Sequence, residues 1–152
     1  MAGERYVDVI YGHEDSVRSL AYSPNGKIIV SGGGDGKVRF WHLGKRRCIE
    51  EVGGFKSTVL CVSYSPDGKM WAAMDREGTI TIFCSDGTKI TNKAAACSGF
   101  CWTPDSRNLV CTNGTGRVCL YNLQSRQPLY AQKHADQEVY ALAVSPDGRY
   151  IA

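Results

Sequence analysis

Residues 12–41 read GHEDSVRSLAYSPNGKIIVSGGGDGKVRFW, and the turn at their centre decides the fold. Ser23-Pro24-Asn25-Gly26 has a mechanism. Proline presets φ at the first central position, the Asn side chain accepts local backbone N–H groups, and glycine takes a positive φ without a Cβ clash. Short apolar, β-favouring runs flank it at 17–22 and 27–30, so the pair reads as a β-hairpin. A third run, Val38-Arg39-Phe40-Trp41, alternates and ends on an aromatic, and a weaker fourth covers 47–52.

The same turn returns as Ser65-Pro66-Asp67-Gly68, Thr103-Pro104-Asp105-Ser106 and Ser145-Pro146-Asp147-Gly148. The four prolines are 42, 38 and 42 residues apart. Hairpin runs flank each copy: 59–64 and 69–73, 98–102 and 108–112, 139–144 and 149–152. Third runs follow at 80–83 and 118–121, and fourth runs at 88–91 and 128–132. No window keeps a helical period over about ten residues. The chain therefore reads as all-β with four strands per repeat. A period near 40 is the spacing of four-stranded propeller blades.

These residues resemble the WD-repeat family. The first repeat carries Gly12-His13, Ser23-Pro24-Asn25-Gly26, Ser31-Gly32, Asp35 and Trp41, with Trp41-His42 where the family has its Trp-Asp pair. The resemblance runs over essentially the whole chain. It implies a WD40-type β-propeller of about 3.5 four-stranded blades, an incomplete ring and part of a seven-bladed disc. The blades fall at roughly 16–52, 58–91 and 96–132, with a fourth beginning at 138, and 5–11 reads as the outer strand of a preceding or closing blade. Residues after 152, or another chain, are expected to complete the ring, because an open stack leaves unpaired edges and bare blade faces.

Carried over by position, His13, Ser31, Asp35 and Trp41 are expected to form a buried hydrogen-bonded network. A buried carboxylate needs donors, and a buried indole N–H needs an acceptor. His13 and Asp35 could be mistaken for part of a catalytic triad, and the structural role is the reading taken. The later repeats depart from the pattern: Phe55, Ala73, Glu77 and Phe83 stand at these positions in the second, and Lys93, Cys111, Thr115 and Tyr121 in the third. The fourth offers His134. Blades two and three should therefore be held mainly by apolar burial, with Trp71 and Trp102 in the core.

In the family, partners bind on the faces of the disc. The candidates on the narrower face are Glu14, Asp15 and Arg18, then Lys56, Ser57 and Arg76 beside Glu77, then Asp136, Gln137 and Glu138. Their mixed signs suit a polar protein or peptide. A basic patch of Lys37, Arg39, Lys45, Arg46 and Arg47 is the candidate for RNA or phospholipid, since phosphate contacts need several cations on one surface.

Composition narrows the classes further. The chain has 152 residues, 43% apolar and 22% charged, with a net charge of +3 and a mean hydropathy of −0.26. That balance is too small to point to nucleic acid or membrane by itself, and no run approaches a membrane span. Seven cysteines, an odd number with no leader before them, suit free thiols in a reducing cell interior, cytoplasmic or nuclear. No zinc spacing, phosphate loop, Gly-x-Ser-x-Gly or His-Glu-x-x-His is present, and Gly32-Gly33-Gly34 opens no helix. No metal, cofactor or catalytic activity is expected. The expected function is a scaffold or adaptor within a multiprotein complex; the alternative is a subunit of an RNA-containing machine.

Overall fold

A computed structural model describes residues 9–93, 97–113, 115–133, 139 and 141–152. Three antiparallel sheets follow one another along the chain, each a four-stranded meander. The first holds β1 (Val17–Tyr22), β2 (Ile28–Gly33), β3 (Val38–His42) and β4 (Arg47–Val52). The second holds β5 (Val59–Tyr64), β6 (Met70–Asp75), β7 (Thr79–Cys84) and β8 (Lys89–Lys93). The third holds β9 (Cys97–Trp102), β10 (Asn108–Asn113), β11 (Arg117–Asn122) and β12 (Gln127–Lys133). Part of a fourth blade follows: Val144 bridges Ile151, and Ala143 and Ala152 exchange N–H···O bonds of 2.8 and 2.9 Å.

The repeated turn sets the register of every hairpin. In the first, the Ser23 hydroxyl donates to Asn25 Oδ1 (2.8 Å) and accepts from the Ile28 N–H (3.0 Å). Asn25 Oδ1 also takes the Lys27 N–H at 3.0 Å. Ser65 with Asp67, Thr103 with Asp105 and Ser145 with Asp147 repeat this arrangement. Ser106 stands where the other turns have glycine and still adopts φ 58°. Its hydroxyl accepts the Asp67 N–H of the neighbouring turn at 3.1 Å, a contact between blades that glycine could not make.

Apolar residues are buried in the seams between blades. Val30, Val38 and Phe40 of the first blade meet Val59, Val62 and Ala73 of the second. Ala72, Met74, Ile80 and Ile82 meet Cys97, Phe100, Trp102, Leu109 and Cys111 of the third. Trp71 stacks on Phe83 with centroids 3.9 Å apart and takes the edge of Phe40. Serines stitch the seams: Ser19 Oγ accepts the Val62 N–H at 3.1 Å, and Ser98 Oγ donates to the Val139 carbonyl at 2.7 Å. The register slips once near the start of each inner strand, at Arg18, Leu60 and Ser98. Such bulges sharpen local twist.

The first blade lacks a neighbour on its leading side. By register, Val17, Leu20 and Tyr22 occupy the positions of Val59, Val62 and Tyr64. Val59 and Val62 are 0% and 3% exposed under the blade before them, whereas Val17 and Leu20 are 50% and 63% exposed. Together with Ile10, Tyr11 and Trp41 they line an open groove of about 610 Å³. The ring is therefore open here among the described residues. Of the expected outer strand over 5–11, only residues 9–11 are described; they pair with no strand among the described residues, and Val9 and Tyr11 are exposed. Residues 5–8 lie outside the described residues, as does His134.

Candidate functional site

In the first two blades, the loop entering the inner strand meets the turn between the second and third strands. Gly34 donates to Ser16 O in the first blade, and Arg76 donates to Thr58 O in the second. This end of the blades carries the candidate binding residues, and beneath it in the first blade lies the polar network.

Ser31 on β2, Trp41 on β3, His13 in the entering loop and Asp35 in the turn come together. The indole N–H of Trp41 donates to Ser31 Oγ at 2.8 Å, and Ser31 Oγ lies 2.6 Å from His13 Nε2. Since Ser31 already accepts from Trp41, we assign its proton to His13 Nε2. That leaves the proton on Nδ1 for the Asp35 carboxylate at 3.0 Å, with Arg39 Nη1 lying 2.7 Å from the same nitrogen. The His13 and Asp35 side chains are only 3% and 6% exposed, so both are shielded from solvent. Glycine is needed beside them: a Cβ on Gly33 would collide with His13 and sit 2.6 Å from Asp35 Oδ1, and one on Gly12 would sit 2.6 Å from the Trp41 ring.

The network has a fifth member. Arg39 Nη1 donates to Asp35 Oδ2 at 2.6 Å and Arg39 Nη2 to Glu51 Oε2 at 2.8 Å. Lys37 Nζ lies 3.0 Å from Glu51 and 3.8 Å from Glu14. Burial acts to raise the Asp35 carboxyl, but hydrogen bonds from Arg39, His13 and the Glu14 N–H outweigh it. They hold Asp35 far below the usual carboxylate range. Burial likewise works against the Arg39 charge, and the bond to Asp35 overcomes it. Glu51 is lowered chiefly by its hydrogen bond from Lys37.

This geometry corrects the basic patch. Arg39 is buried and points inward to two carboxylates, because an unpaired guanidinium could not be buried there. Lys37 joins the same ion pairs. Lys45, Arg46 and Arg47 are exposed at the other end of β3, around a single 3-10 turn (Leu43–Lys45). The five cations do not share one surface. The signal for Arg39 was a cross-strand charge pair: its register partner on β4 is Glu51.

The remaining candidates lie as follows. Glu14, Asp15, Arg18, Lys56 and Arg76 are exposed. Glu14 gives its N–H to Asp35, and Asp15 accepts the Ser16 N–H at 2.5 Å. Ser57 is half-buried, and its hydroxyl has no partner among the described residues. The Gly36 turn of the first blade abuts the Ser57 carbonyl, where a Cβ would lie 3.4 Å away. The first two blades thus share one polar rim. Asp136, Gln137 and Glu138 lie outside the described residues.

Sequence reading missed two residues here. Asp75 at the end of β6 accepts the Glu77 and Thr79 N–H groups, both at 3.0 Å. Asn113 at the end of β10 accepts those of Thr115 and Arg117 at 3.1 and 3.0 Å. They take the turn-holding place of Asp35, whose Oδ1 takes the Lys37 N–H at 3.2 Å. The signal was an Asp or Asn three residues before glycine, in Asp75…Gly78 and Asn113…Gly116. Among the cysteines, Cys97 and Cys111 are buried and Cys48 is exposed. Burial pushes the Cys101 thiol up to about 11, which keeps it protonated and unreactive at neutral pH.

Among the described residues, no group of three or more metal-ligating side chains is assembled, and no helix is long and apolar enough to cross a membrane. The β-propeller domain of Myceliophteria thermophila Cps50 (Swd1) superposes with a TM-score of 0.81 at 19% identity, over 93% of this chain and 49% of that one. U3-55K superposes with a TM-score of 0.79 at 25% identity, over 89% and 44%. The chain thus spans about half the length of these solved propellers. The human ribosome biogenesis protein BOP1 is 46% identical over 44 residues, 29% of this chain and 6% of that protein. The family described as WD domain, G-beta repeat matches residues 4–42, 46–88 and 126–152. With that match over most of its length, the chain belongs to the WD-repeat family and forms an open arc of its β-propeller.

Proposed function

We propose that the chain is a non-catalytic interaction scaffold, binding partner proteins through the loop-and-turn end of its blades within an intracellular multiprotein complex. One observation carries this reading. The histidine, carboxylate and hydroxyl that a hydrolase would present to substrate are buried and bonded to Trp41, Arg39 and backbone N–H groups. The exposed residues at that end are charges of both signs, which suits a polar partner. The leading groove of the first blade is read as the seat of a further blade, supplied by residues after 152 or by another chain. Its exposed Val17, Leu20 and Tyr22 repeat positions that blades cover elsewhere in the arc.

The test is co-purification of the tagged chain from cells at moderate salt, beside variants reversing Glu14, Asp15, Arg18 and Arg76. A stoichiometric partner lost from the reversed chain, with its unfolding midpoint unchanged, is the expected result. No partner, or one indifferent to every reversal, contradicts the reading.

A second reading is favoured by the match to a protein named for ribosome biogenesis: a subunit of an RNA-containing, ribosome-assembly complex in the nucleus. The exposed Lys45-Arg46-Arg47 turn is then the phosphate contact. Reversing its charges should weaken RNA binding and flatten its salt dependence. RNA binding that ignores this turn, or no RNA binding, rejects it.

A further inference from the structure

The second blade holds a small polar pocket where the first blade holds an ion pair. By register, Thr79, Thr81 and Thr91 occupy the places of Lys37, Arg39 and Glu51. Three long charged side chains in one blade are thus three short hydroxyls in the next. The space left over is about 240 Å³ and is lined by these threonines with Asp75, Lys56, Lys89 and Phe55. That is room for one long side chain; ligand sites for drug-sized molecules run to roughly 300–1,000 Å³.

The floor of the pocket carries a buried carboxyl group. Asp75 is 4% exposed, and its Oδ1 is held by the Glu77 and Thr79 N–H groups. The described residues bring no cation within ion-pair distance of it, whereas Asp35 has Arg39. Lys89 also lines the pocket, with its Nζ 5.0 Å from the Phe83 ring centroid. A buried carboxylate calls for a paired cation. The equivalent space in the first blade shows the cation that fits: a guanidinium, which Arg39 supplies from within the chain.

We propose that this pocket binds the arginine side chain of a partner peptide, with acidic residues beside that arginine meeting Lys56 and Lys89 at the mouth. The guanidinium pairs with Asp75 and donates to the threonine hydroxyls, and its plane lies against Phe55. Arginine is preferred to lysine because a planar fork of five donors suits a ring of acceptors and an aromatic wall. The site names one chemistry for the partner-binding rim, so it rests on reading that rim as an interaction surface.

The test uses the full chain and a capped Glu-Arg-Glu peptide, followed by NMR of the Thr79 and Thr81 amides. Matched peptides carry lysine or citrulline, the neutral isostere, in place of arginine. The expected result is saturable shifts at these amides with arginine. Binding should be about tenfold weaker or worse with citrulline, or with Asp75→Asn, because either change removes one partner of a desolvated charge pair. Thr81→Arg should abolish binding by filling the pocket from within, with an unfolding midpoint at or above the parent's. The proposal is overturned if citrulline binds as well as arginine, if no shifts occur at these amides, or if Thr81→Arg melts well below the parent. Shifts that map instead to Glu14, Asp15 or Arg18 reject this pocket while leaving the rim as an interaction surface.

Discussion

Ser31 sits at the junction of the first blade's network, accepting from Trp41 and donating to His13. Its hydroxyl ties β2 to both the entering loop and β3, so removing it leaves an indole N–H and an imidazole nitrogen without partners. Ser31→Ala should cost about 1–3 kcal/mol. Trp41→Ala removes the donor and the ring that packs on Gly12, and should cost about 3–5 kcal/mol, as for other aromatic core truncations. Urea unfolding of the two variants beside the parent checks the order. Asp35 adds a pH dependence. Its folded pKa lies far below the value of about 3.9 expected of the unfolded chain, so between the two the unfolded state binds more protons. The Asp35 contribution is fully present above about pH 4 and is lost as acid carries the pH down through the folded value. Asp35→Asn should lower the urea midpoint at pH 7 and lose less than the parent between pH 7 and pH 3. Equal acid sensitivity would remove Asp35 from the network.

The hairpin turn was legible at the scale of the element because its chemistry is local. Proline, an Asx side chain and a positive φ act within four residues, and the same bond from a hydroxyl to an Asn or Asp side-chain oxygen recurs in all four copies. The strand ends were less legible. Aligning the blades put Glu77 and Thr115 at the Asp35 position, without a place in such a network, and Asp75 and Asn113 hold the turns from the last residue of the strand. What is shared is the strand-three N–H that must be satisfied, and a side chain can reach it from either of two places. Asn113→Asp should therefore be close to neutral, while Asn113→Ala should cost about 1 kcal/mol for its lost bonds. Thermal unfolding of the pair decides it. Arg39 was misread for a related reason. Its burial depends on Glu51 across the sheet, and that pairing is fixed by the slip between Phe40 and Trp41.

For the whole molecule, the repeat period showed the architecture, and the His13, Ser31, Asp35 and Trp41 pattern pointed to one polar network. The residues could not show which apolar surfaces would be covered. Leu20, Val62 and Phe100 hold one structural position in three successive blades. Only the presence of a preceding blade separates the exposed Leu20 from its buried equivalents. That contrast is the central physical feature of this arc: its leading apolar face is open to solvent where the equivalent faces of the next blades are covered. Amide hydrogen exchange on the 152-residue chain reads it directly. The Val62 N–H is held by Ser19 of the blade before it, and no side chain among the described residues accepts from Leu20. An open arc predicts strong protection at Val62 and Phe100 with rapid exchange at Leu20 in the same molecule. Protection at Leu20 equal to that at Val62 would mean that the leading face is already covered, and would contradict the open arc.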